Sequence, residues 1–149
     1  MTTEPEPQTV VVGVEGGGSG CRTAIKMAAQ EARYRTASLI AVMAYSGERA
    51  VAPAGRPLAT LRSAVEYRLA AESALRDAVV DALGDEADRV ELRTALGLTG
   101  RNLVDTARRV NAQLIVLAGR GSASMLLGTV SQYVLRKAPC PVLVVPEGR

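Results

Sequence analysis

The segment Ala112-Gln113-Leu114-Ile115-Val116-Leu117-Ala118-Gly119-Arg120-Gly121, followed after six residues by Gly128-Thr129-Val130-Ser131-Gln132, decides the fold. Residues 114–118 are apolar without alternation, which reads as a strand buried on both faces. Glycines end it, and a helix start follows, because Thr129 with Gln132 three residues on has the spacing of a capping box. Gly128 carries no Cβ, so backbone there can approach an anion closely. The amides of Gly128, Thr129, Val130 and Ser131, helped by the helix dipole, would point at that anion. A second turn of this kind, Glu15-Gly16-Gly17-Gly18-Ser19-Gly20, follows the β-branched run at residues 9–14 (TVVVGV). Two such turns predict a phosphate-bearing ligand between them.

The rest of the chain alternates strands and helices. Residues 22–35 space Ile25, Ala28, Ala29 and Ala32 at helical intervals, and residues 38–44 (SLIAVMA) form the second apolar run. Residues 45–59 are rich in Gly, Pro and Ala and read as a mobile loop, with Arg49 and Arg56 as its tryptic sites. A long helix carries Leu61, Val65, Leu69, Leu75, Val79 and Leu83 as one stripe and stops at Gly84. Residues 89–96 form a weaker strand. Thr99 is placed to cap a helix bearing Leu103, Val104, Ala107 and Val110. Residues 128–137 are a short helix, and residues 141–145 (PVLVV) the last strand. This β-α repeat predicts an α/β fold, a five-stranded parallel sheet with helices on both faces. An order of 3-2-1-4-5 sets strands one and four side by side where the winding reverses, so both glycine turns share one crevice. Strand five then lies at an edge. Residues Val142, Leu143, Val144 and Val145 carry no charge and invite pairing with a second copy.

Composition narrows the chemistry. At 149 residues, 48% apolar and 22% charged, the chain reads as one domain at 9–149 behind a polar, disordered tail at 1–8. It has no spanning apolar run and no signal-peptide pattern, so the expectation is a cytoplasmic protein without a membrane partner. The net charge of +3 is spread along amphipathic segments, and Trp and Phe are absent. Neither feature fits a nucleic-acid partner. With no histidine, Ser-His-Asp and Cys-His systems and the usual zinc sites are excluded, and no metal site is expected. Cys21 and Cys140 are far apart and read as packing residues.

The candidate site has a limited cast. Glu15 ends strand one at the mouth of the crevice, where its carboxylate can accept bonds from a ribose. Arg120, between two turn glycines, can reach phosphate oxygens. The only lysines are Lys26 and Lys137, and no Gly-Lys-Ser/Thr occurs, so P-loop phosphoryl transfer is not available.

The sequence resembles the universal stress protein family in its small single-domain bacterial form. The resemblance rests on Val-Gly-Val-Glu-Gly at 12–16, Glu31-Ala32-Arg33, Gly97 and, most specifically, the tail at 126–146 (LLGTVSQYVLRKAPCPVLVVP). It implies a Rossmann-like fold of the adenine-nucleotide alpha-hydrolase type and a homodimer joined through the last strand. It further implies an adenine nucleotide (ATP, AMP or a cyclic nucleotide) as a regulatory ligand, with Mg when the ligand is ATP. Turnover would be absent or limited to slow hydrolysis. The base would lie near the Val42 backbone, and ribose and phosphates between Glu15 and Gly128. Gly13, Val14, Leu117, Ala118, Gly121, Gly128, Thr129, Val130 and Ser131 would line the site, with Arg120 as a phosphate contact. ATP-binding members carry Gly-x2-Gly-x9-Gly-Ser/Thr after strand four. Here Ala118 replaces the first glycine, residues 122–127 make the loop three shorter, Glu15 replaces an aspartate, and the first turn has an extra glycine. The shortened loop supports a second expectation, a dimeric interaction module that binds no nucleotide. A third, an ATP-pyrophosphatase-like enzyme, lacks the aspartate of its Ser-Gly-Gly-x-Asp-Ser turn.

Overall fold

The computed structural model describes residues 7–15, 19–46, 60–119 and 128–146. The elements in chain order are β1 (Thr9–Gly13), α1 (Ser19–Arg35), β2 (Ser38–Tyr45), α2 (Thr60–Leu83), a 3-10 segment (Gly84–Arg89), β3 (Val90–Leu96), α3 (Thr99–Arg109), β4 (Leu114–Ala118), α4 (Thr129–Lys137) and β5 (Val142–Val145). The five strands form one parallel sheet in the order β3-β2-β1-β4-β5, as the sequence predicts.

Handedness then places the helices. The chain steps from β1 outward to β2 and β3, so right-handed crossovers put α1 and α2 on one face. It returns past β1 to β4 and β5, and the same rule puts α3 and α4 on the other. Alternation along each strand feeds the two layers. Val10, Val12, Leu39, Ala41, Met43, Leu114 and Val116 pack with Ile25, Ala28, Leu75 and Val79 of α1 and α2. Val11, Ile40, Val42, Ile115 and Leu117 pack with Leu103, Val104 and Val134 of α3 and α4. All five β1 residues are buried, which makes it the central strand that its unbroken apolar run predicts. Gly13 permits the α3 layer to close, since a Cβ there would stand 2.6 Å from a Leu103 methyl.

The ends of the elements depart from the sequence reading at several points. α1 begins at Ser19, earlier than the apolar spacing shows, and β2 takes in Tyr45, which composition had assigned to a loop. Residues 47–59, with Arg49 and Arg56, lie outside the described residues. Thr99 is not a cap. Leu98 occupies that position without a side-chain bond, and Asn102 Nδ2 ties the turn by donating to the Leu96 and Leu98 carbonyls at 3.2 and 3.0 Å. Thr129 is likewise inside α4, and Gly128 holds the cap position. The α2 stripe splits: Leu75 and Val79 are buried, whereas Val65 and Leu69 are exposed. The first half of the helix runs beyond the core face it was expected to cover.

α1 and α3 stop by the same device. Ala37 N–H donates to Ala32 O at 2.8 Å and Thr36 N–H to Arg33 O at 3.2 Å. Ala112 and Asn111 repeat the pair on Ala107 and Arg108, at 2.9 and 3.3 Å. These Schellman closures need a left-handed residue, here Thr36 (φ 51°) and Asn111 (φ 52°) instead of glycine. Among the described residues no helix is long and apolar enough to cross a membrane.

Candidate functional site

β1 ends at the reversal of the winding. Val12 is registered with Val116 of β4 on one side and with Ala41 of β2 on the other. The carboxyl ends of β1, β2 and β4 therefore open together. Val14 prolongs the pairing, its N–H donating to Val42 O at 2.9 Å, while its side chain is buried. Glu15 is the first exposed residue after the strand.

A cleft of about 680 Å³ opens above the ends of β1 and β2 and the β3–α3 turn, and no residue of β4 or α4 is on its described lining. Val14 and Glu15 contribute from β1, Met43, Ala44, Tyr45 and Ser46 from β2 and its exit, and Gly97, Leu98 and Thr99 from the β3–α3 turn. Its wall is α2, through Tyr67, Ala70, Ala71 and Ala74. Three alanines at helical spacing leave the wall low, and that absence of side-chain bulk makes the space. Gly97 takes φ 120°, a conformation L side chains rarely adopt, so the turn that rims the cleft depends on glycine. The volume falls within the range of roughly 300–1,000 Å³ usual for small-molecule sites.

The residues expected from sequence divide in three. Val14 and Glu15 line the cleft. Gly13, Val42 and Leu117 are off the cleft lining: all are buried on the α3 side of the sheet, and the Val42 carbonyl accepts from the Val14 N–H. The half-buried Ala118 ends β4 beside them, packed against the α1–α2 layer. The α4 residues form the third group. Gly128 caps the helix and, as a glycine, brings no side chain of its own to the first-turn amides. Val130 packs with the cluster that contains Leu117, Ser131 is buried, and Thr129 is exposed. Any contact from Val130 to a ligand would therefore come from its backbone. Arg120, Gly121, residues 122–127 and the three glycines at 16–18 lie outside the described residues. Gly119 is committed to the sheet, its N–H donating to Val145 O at 2.7 Å. Sequence reasoning missed Tyr67, Ala70, Ala74 and Leu98. The alanine spacing on α2 was the available signal, eclipsed by the leucines beside it.

Charge at the site is sparse. Glu15 is the one carboxylate on the described lining. Its backbone hydrogen-bonds the Cys21 thiol, in the first turn of α1. Burial is the larger influence and raises the Cys21 pKa, the hydrogen bond opposing it. No group of three or more Asp, Glu or Cys side chains that could hold a metal occurs among the described residues.

A parallel α/β sheet with a cleft at its strand carboxyl ends, beside the reversal, is the plan of a Rossmann-like ligand-binding protein. The model of the universal stress protein family matches residues 7–146, and the chain belongs to this family. Among solved structures it is similar to a universal stress protein in complex with cAMP, at 27% identity and a TM-score of 0.66 over 97% of this chain and 100% of that one. Universal stress protein UspA from Lactobacillus plantarum shares the fold at 22% identity and a TM-score of 0.71, covering 95% and 99%. A universal stress protein from Archaeoglobus fulgidus in complex with dAMP shares it at 22% identity and 0.56, also covering 95% and 99%.

Proposed function

We propose that this universal stress protein is a regulatory adenine-nucleotide binder with little or no turnover. The reading is carried by the cleft above β1 and β2, in a chain 27% identical to a relative solved in complex with cAMP. The apolar lining of Val14, Met43 and the α2 alanines suits a base, and the Glu15 carboxylate can accept a ribose hydroxyl. The first turn of α4, outside that lining, starts at Gly128 and would offer backbone amides to a phosphate. A Mg ion arriving on ATP needs few protein carboxylates, because substrate phosphates and water supply most of its ligands. Glu15 would be that contact. The shortened span at 122–127 favours one phosphate over three, since fewer backbone amides are available to wrap a chain of phosphates.

Titration calorimetry with cAMP, AMP and ATP tests this. Saturable binding of a monophosphate, with a stabilisation of about 2.7 kcal/mol at a hundredfold excess over Kd, is expected. No heat and no thermal shift with any of the three at millimolar concentration would leave the alternative, a dimeric interaction module without nucleotide. The short 122–127 span is the support for that alternative. Either function fits a homodimer formed through β5, the uncharged edge strand of the β4 side.

A further inference from the structure

The opposite edge of the sheet, β3, has its own order. Gly97 N–H donates to Tyr45 O at 2.9 Å, which sets the parity of the strand. The backbone groups of Val90, Leu92, Thr94 and Leu96 therefore point away from β2. Among the described residues no other strand pairs with them. Natural edges are usually blunted by proline, lysine, a bulge or very short length. This one has seven residues and none of the other three features.

The two faces of the edge differ. On the α2 side Leu92 and Leu96 are 39% and 65% exposed, and Val65, Leu69 and Val80 follow one exposed flank of the helix. Leu92 and Val80 border one shallow cleft of about 200 Å³. On the α3 side stand Glu91 and Arg93, with Arg93 Nε donating to Glu91 Oε2 at 2.7 Å.

We propose that β3 pairs antiparallel with β3 of a second copy of this chain, about a two-fold axis through Leu92. The outward backbone groups then form hydrogen-bonded pairs of Leu92 with Leu92 and of Val90 with Thr94, in both directions. Glu91 of each copy faces Arg93 of the other at the non-hydrogen-bonded positions, where side chains approach most closely. A centre at Glu91 or at Arg93 would set like charges directly opposite, and one at Val90 or Thr94 would need the 3-10 segment or the occupied Leu96 carbonyl to pair, which leaves Leu92. The charge pattern also selects the occupant, because a strand whose charges complement themselves about a two-fold fits its own copy. The Leu96 carbonyl already accepts Asn102 Nδ2, which confines the pairing to residues 90–94.

The test is charge reversal read by sedimentation equilibrium on the full chain, in the natural sequence and with Val144→Lys to suppress association at β5. Arg93→Glu gives two acids per edge and Glu91→Arg two bases, and each should weaken self-association on the order of tenfold. An equimolar mixture of the two should restore it, as should the double variant with the charges exchanged. Circular dichroism confirms that each variant is folded. Equal association in all variants, a monomer at every concentration with Val144→Lys, or a mixture no stronger than its components would each overturn the proposal. That last result would point to another strand, from this chain or from a different protein, on this edge.

Discussion

Single residues carry costs that a sequence pattern does not display. Thr36 is β-branched, yet it holds the left-handed position that closes α1. Replacing it with glycine removes that steric cost against a smaller loss of unfolded-state rigidity. Thr36→Gly is expected to stabilise the fold by about 0.5–1 kcal/mol, read as a higher urea midpoint with an unchanged slope. Gly13→Ala acts oppositely. The new methyl meets Leu103, which is itself 1% exposed, and a loss of about 1–3 kcal/mol is expected in the same assay. Gly13 looked like a ligand residue in sequence, and only its distance to Leu103 reveals the packing role. Cys21 makes a pH prediction. Burial holds its folded-state pKa above the ordinary 9.0, so the unfolded chain releases the thiol proton first as pH rises. Stability should fall above about pH 9. Between pH 8 and 10 the natural protein should lose more stability than Cys21→Ala. Equal losses would show that this thiol does not contribute.

Elements were legible where burial is simple and obscure where it is not. The runs at 9–14, 38–44 and 114–118 reveal strands because both sheet faces are covered, and the order 3-2-1-4-5 was chosen because it sets the two glycine turns side by side. Helix caps were misread at Thr99 and Thr129, because a hydroxyl at a plausible spacing does not compel its own hydrogen bond. The six-residue stripe of α2 was read as uniform, although only part of that helix lies over the sheet. Leu75→Ala should therefore cost about 2–5 kcal/mol in denaturation, whereas Leu69→Gln should stay within about 0.5 kcal/mol. The candidate site shows the same limit: Glu15 stands out as a charge at a strand end, while the alanine wall is defined by what is missing. For α4, Gly128→Val sets a branched side chain at the helix cap. It should abolish nucleotide binding by calorimetry with the melting transition retained, and unchanged affinity would move the phosphate elsewhere.

At the scale of the molecule the sheet has two unlike edges. β5 is four residues long between Pro141 and Pro146, with Val142 and Val144 directing their backbone groups outward. Val144→Lys is expected to remove the β5 contact and lower the average mass in light scattering at micromolar concentration, leaving any association through β3 in place. A natural protein that is already monomeric there would refute pairing at β5. Self-pairing at both edges would carry association past two copies, since two separate two-fold contacts on one sheet do not close. The central strand has a consequence of another kind. Val10 is registered with Leu114, so β1 acquires its second neighbour only after about a hundred further residues have been made. At about 5–20 residues per second of synthesis, the fully buried central strand waits on the order of 5–20 seconds with one side open. The residues that line the cleft, Val14 to Thr99, are therefore all synthesised while the strand beneath it still lacks its β4 neighbour.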